Sequence, residues 1–219
     1  MVSLVKRDFI ALKNAILTAL CLIPIGYLIH LPPIYTTVGL ILPVLIIGSF
    51  YVDDRANINR FTLSLPINKD FIVKGRYLLF FTVWIGIIFY QAMVGQLIET
   101  FSTLPRYTYH WIDILTVICL GLIVKAIFLP IYYFFESFTV ASIISAILYG
   151  VLLISSFTPL IEILRMEDHI IFNDLDQGIV PLVEKSIPFQ PFFVLVIVSI
   201  TIYLLSLKIS GLIFSRKEF

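Results

Sequence analysis

The stretch Asp53–Arg76, "DDRANINRFTLSLPINKDFIVKGR", decides how the whole chain is read. It follows 22 consecutive residues without a charge or a histidine (31–52) and precedes 22 more (77–98). A spanning helix needs about 20 mostly apolar residues, so this wet stretch joins two membrane spans. From Asn57 to Leu65, Ile58, Phe61, Thr62 and Leu65 share one helical face, and Asn57, Arg60 and Ser64 share another. That pattern predicts a short amphipathic helix at the membrane surface. Pro66 cannot continue it. Asn68 is a suitable N-cap for a second helix that starts with Lys69 and Asp70 and runs into the next span.

Outward from this stretch, uncharged runs recur at 14–29, 137–161 and 186–207, and at 114–135 with only Lys125 interrupting. The fold class expected is all-α: a polytopic integral membrane protein with six transmembrane helices, at roughly 13–30, 34–52, 76–98, 110–135, 138–159 and 190–212. Residues 1–219 form a single transmembrane domain, with a loop at 53–75 and a larger one at 160–189. The chain is 60% hydrophobic and only 13% charged, against about 25% charged in soluble domains. No room remains for a separate soluble catalytic domain. The net charge of +1 says little about nucleic acid, and no basic tract suggests it, so no nucleic-acid partner is expected. Cys21 and Cys119 fall inside spans and read as small buried hydrophobes. Lys6 and Arg7 before the first span imitate a signal peptide, but no small-x-small cleavage site follows, so the span reads as retained.

Eleven of the fifteen Lys and Arg residues fall on one side if the N-terminus is cytoplasmic, and Arg106, Arg165 and Lys185 on the other. This bias places both termini and the 53–75 loop in the cytoplasm and the 160–189 loop outside. Val2, Val5, Phe9 and Leu12 stand at helical spacing, which fits either an interfacial helix or a straight extension of the first span.

A connector between two spans needs only a few residues, whereas this one uses about two dozen on a helix with an apolar face. It is either a solvated connector whose basic residues enforce topology or a docking element for a cytoplasmic partner. Other constellations carry less chemistry. Glu167–Asp168–His169, with Glu162, Asp174 and Asp176 nearby, lacks the second His at helical spacing that a metallohydrolase needs. "NDLDQGIVPLVE" echoes a calcium loop, but Leu175 would occupy a ligand position. A membrane-embedded enzyme or ion-driven pump needs inward-facing carboxylates, and none is expected within the spans. Lys125 is the one clear charge inside a span, about 21 Å from Trp111 at 1.5 Å per residue. It is expected to snorkel to the inner interface or pair structurally, with a substrate contact as the alternative.

The acidic pair Asp53–Asp54, then Asn57, Arg60, Phe61, Leu63, Ser64, Leu65, Pro66, Asn68 and Lys69, then Ile72, Val73, Gly75, Arg76 and Tyr77, resembles the ABC-2 type permeases of bacterial ABC transporters. Six spans, both termini inside and a long external segment before the last span agree with that family. Within it, the chain resembles the small permeases of peptide exporters, such as those for phenol-soluble modulins or bacteriocins. The resemblance implies that Asn57, Arg60, Phe61, Leu63, Ser64, Leu65, Pro66 and Asn68 form a coupling helix seated in a groove of a separate ABC ATP-binding subunit. It also implies a second permease (an identical or related chain), a multi-pass location in the bacterial plasma membrane and an amphipathic or hydrophobic cargo moved outward. No phosphate loop occurs, so this chain needs no cofactor of its own, and ATP and Mg belong to the partner subunit. The candidate substrate path comprises Lys125 and the external acids Glu167, Asp168, Asp174 and Asp176. A membrane-embedded enzyme and a non-transporting scaffold are the alternatives.

Overall fold

The computed structural model describes residues 2–29, 31, 33–55, 69–101, 110–164, 187 and 190–216. Among the described residues six α-helices follow one another: α1 (Val2–Leu28), α2 (Leu42–Arg55), α3 (Lys69–Phe101), α4 (Trp111–Phe134), α5 (Phe138–Leu164) and α6 (Pro191–Arg216). A seven-residue π-helix, Tyr35–Ile41, leads into α2. The described residues contain no strand. Among the described residues five segments are long and apolar enough to cross a membrane: α1 from Arg7, the π-helix with α2, α3, α4 and α6. α5 is 27 residues long, and its stretch Phe138–Ile154 is apolar. The protein is an all-α polytopic membrane protein, because only closed backbone hydrogen bonding is tolerated in hydrocarbon.

The helices alternate in direction. Asp8 near the start of α1 meets Arg76 near the start of α3, and Phe50 near the end of α2 stacks on Tyr132 near the end of α4. Tyr51 meets Phe138 at the start of α5, and Tyr133 meets Phe214 at the end of α6. The start of α1, the end of α6 and both edges of the 56–68 segment therefore lie at one end of the bundle.

Several expectations meet the structure directly. The first dozen residues are a straight extension of the first span, since α1 is continuous from Val2. The second helix begins at Lys69 and runs without a break through the third span. The turn between α4 and α5 is only Phe135–Ser137. Asp53–Arg55 continue α2 by almost a turn beyond the expected boundary at 52. Cys21 corrects the reading of both cysteines as buried: it is exposed on α1, and only Cys119 is buried. In a bilayer protein the outer surface is apolar too, so composition alone does not assign a residue to the interior.

The bundle closes on a polar seam along α6. Ser199, Tyr203, Ser206 and Ser210 recur at helical spacing and are all buried. Lipid supplies little hydrophobic drive between helices, so small side chains and interhelical hydrogen bonds perform that role. The Ser206 hydroxyl donates to the Ala126 carbonyl of α4 at 2.7 Å. It therefore accepts from the Tyr77 hydroxyl of α3 at 2.8 Å, and Ser210 donates to Tyr77 at 2.7 Å. Tyr203 returns a bond to the Tyr77 carbonyl at 2.7 Å. One tyrosine of α3 is thus held by three residues of α6.

Candidate functional site

Asp53 is the third-last residue of α2, and Arg76 lies two turns into α3. Between them runs the segment whose sequence points to docking. The structure joins these two residues in a direct ion pair from Arg76 Nη2 to Asp53 Oδ2. Asp8 of α1 completes the group, 3.8 Å from the same Arg76 nitrogen. Arg7 closes it on the outside, donating from Nε and Nη2 to Asp8 Oδ1 at 2.9 and 2.6 Å. The side chains of Asp8, Asp53 and Arg76 are 3%, 2% and 4% exposed, so the three charges are packed in the interior, while Arg7 is 28% exposed.

The arrangement is balanced, with two positive and two negative groups. An isolated buried charge loses its hydration without return, whereas a counter-charge beside it offsets part of that cost. Aromatic groups add to it: the Arg76 guanidinium lies over the Phe50 ring, 4.9 Å from its centroid. Phe50 is stacked on Tyr132 at 4.5 Å and meets Tyr133 edge-on at 5.6 Å. One cluster therefore ties α1, α2, α3 and α4 together at the root of the 56–68 segment. The expectation of no buried carboxylate within the spans is corrected by Asp113 in the first turn of α4 and, in helices that extend past the expected spans 13–30 and 34–52, by Asp8 and Asp53, each of these two neutralised by an arginine. No sequence spacing announces the cluster, because its members are distant in sequence and Asp8 and Asp53 both stand at span edges where a solvated charge is ordinary.

Lys125 lies elsewhere, in mid-bundle and fully buried. Its ammonium donates to the Phe80 carbonyl of α3 at 2.9 Å and sits 4.6 Å from the centre of the Trp84 ring. Lys125 therefore does not snorkel to an interface. It is a paired interior lysine, and a backbone carbonyl with an aromatic face takes the place of a carboxylate. Gly121, one turn earlier on α4, lies directly against the Trp84 indole, where a Cβ would collide with it. The residues Asn57, Arg60, Phe61, Leu63, Ser64, Leu65, Pro66 and Asn68 lie outside the described residues, as do Glu167, Asp168, Asp174 and Asp176.

A second polar knot lies at the opposite end. Gln91 of α3 donates to the Pro33 carbonyl at 2.8 Å and accepts from the Thr37 hydroxyl at 2.7 Å. It thereby anchors the π-helix, whose Val38 carbonyl also accepts the Tyr149 hydroxyl of α5. Below this anchor a groove of about 320 Å³ runs between α2, α4 and α5, lined by Pro43, Ile46, Phe128, Ser145 and Tyr149 among others.

No curated protein and no solved structure matches the chain. The sequence does match the model of the ABC-2 family transporter proteins over residues 3–215, almost its whole length. With the all-helical bundle and its membrane-spanning segments, that match identifies the chain as a member of the ABC-2 transporter family, a membrane permease component of a transport system.

Proposed function

We propose that this chain is the transmembrane permease subunit of an ABC-2 exporter, moving an amphipathic or hydrophobic cargo outward with ATP hydrolysed by a separate subunit. The segment 56–68 is the docking element, and the ion cluster at its root is the rigid base through which docking motion reaches the spans. The observation that carries this reading is the direct pairing of Asp53 and Arg76, which pins both edges of the segment, together with their link to Asp8 of α1. A solvated connector needs no such fixation, whereas a mechanical lever does, since movement of a loose loop would dissipate before reaching the bundle. Two permeases, identical or related, working with two ATP-binding subunits complete the assembly in the bacterial plasma membrane.

The cargo class is supported by the apolar lining of the groove between α2, α4 and α5. It is also supported by the excess of acidic over basic residues in the sequence between Glu162 and Glu184. A membrane-active cationic peptide combines the two matching properties. Co-purification tests the assembly. The double variant Arg60→Glu with Phe61→Ala should insert normally but lose the ATP-binding subunit and the transport it drives. Wild-type recovery of that subunit, with transport intact, would remove the docking assignment.

A further inference from the structure

At the end of the bundle that carries both termini, α3 and α6 part to leave a groove of about 350 Å³. Two ties bound it. On the inner side Tyr77 is bonded to Ser206 and Ser210, and on the outer side the Lys69 ammonium reaches the Ser215 carbonyl at 3.4 Å. Between them Val73, Leu207 and Leu212 form apolar walls, and Gly211 leaves the floor low. Lys74 of α3 and Lys208 of α6 stand on opposite sides of the opening. Both are exposed, and neither enters an ion pair among the described residues. Asp70 also lines the groove but is already engaged within the protein, so the lysines supply the available charge.

One turn toward the middle of the bundle, the walls continue as Leu78 on α3 and Leu204 on α6, each 53% exposed. Two cations at the rim and a hydrocarbon track leading inward from them match a ligand with an anionic head and an acyl tail. We propose that this groove is a binding site for one anionic phospholipid, its phosphate between Lys74 and Lys208 and an acyl chain along Val73, Leu78, Leu204 and Leu207. A free phosphate would use the lysines but leave the apolar walls without a partner. Basic pockets between transmembrane helices attract anionic head groups in this way. By closing the gap between α3 and α6, such a lipid would brace the helix that leaves the ion cluster against the last span. The site does not depend on what the transporter carries.

Native mass spectrometry of the purified full chain tests this, with phosphatidylglycerol or phosphatidylcholine added to the detergent. Two lysines at an anionic surface should favour retention of one phosphatidylglycerol over phosphatidylcholine on the order of ten- to thirtyfold. Lys74→Gln with Lys208→Gln should bring the ratio close to one, and the same pair changed to Arg should keep it. Lys13→Gln, an exposed lysine on α1, should leave it unchanged. Excess inorganic phosphate should not displace the lipid. Equal retention of the two lipids overturns the proposal, as does an unchanged ratio in the double Gln variant. Release of the lipid by phosphate would assign the lysines to a free anion, and a changed oligomeric mass in the double variant would assign the groove to a second copy; either overturns it as well.

Discussion

Arg76 and Lys125 are both buried cations, yet their surroundings predict opposite responses to mutation. Arg76 neutralises two interior carboxylates, and Arg76→Met would leave both without it. Removing one partner of a buried ion pair typically costs about 3–5 kcal/mol. The variant should melt well below the parent in detergent, and Asp53→Asn should lose less, because Asp8 still faces the guanidinium. Equal melting of Arg76→Met and parent would show that the cluster is not closed in the folded protein. Lys125 faces no carboxylate among the described residues: its partners are the Phe80 carbonyl and the Trp84 ring. Lys125→Met removes a cation–π contact worth about 2 kcal/mol when desolvated. It also ends the burial of an ammonium without a counter-charge, and apolar replacements of buried ionic groups are often neutral or stabilising. Thermal unfolding of Lys125→Met should therefore match or exceed that of the parent. A large loss of stability would contradict this reading of Lys125.

At the scale of elements, close approach of α3 and α4 depends on Gly121. The Trp84 indole occupies the space that a Cβ would need, and Trp84 is fully buried, so it has little freedom to withdraw. Gly121→Ala should force the ring aside at a cost of about 1–3 kcal/mol, the usual range for overpacking. The lowered melting point should be accompanied by a changed tryptophan emission spectrum, and an unchanged spectrum would contradict this packing. The spans themselves were legible in the sequence, since an uncharged run of about 20 residues in lipid has little choice but to become a helix. The basic flanks put the start of α1 and the end of α6 on the same side, and the structure brings the two to one end. Three features were not legible. Asp53 looks like the first residue of a wet loop because its counter-ion is 23 residues away. Lys125 is satisfied by a backbone carbonyl, which no residue pattern encodes. The π-helix Tyr35–Ile41 leaves no compositional trace, and only its partner Gln91, one of two amides with Gln96 in an apolar span, hints at it.

Across the whole molecule, the two ends of the bundle differ in chemistry, and the difference bears on cargo. One end holds the buried ion cluster and most of the basic residues. From the opposite end springs the 165–186 segment, in which Glu167, Asp168, Asp174, Asp176 and Glu184 outnumber Arg165 and Lys185. Between them the groove at the α2, α4 and α5 contact is almost wholly apolar. On the function proposed above, a small hydrophilic ion would meet no chain of charges along that route among the described residues, whereas an amphipathic peptide would meet an apolar wall followed by an acidic exit. Attraction at the exit is short-ranged, because exposed charges are screened beyond about 8 Å at physiological salt. It should therefore act on cargo that has already arrived. The combined variant Glu167→Gln, Asp168→Asn, Asp174→Asn, Asp176→Asn should lower export of a cationic amphipathic peptide from loaded cells, most clearly at low ionic strength. Export of an uncharged amphipath of the same length should be unaffected. Raising the salt should bring parent and variant together, since it removes the same interaction that the substitutions remove. Equal export by parent and variant at low and high salt, with equal amounts of protein in the membrane, would confine the acidic loop to topology and solubility.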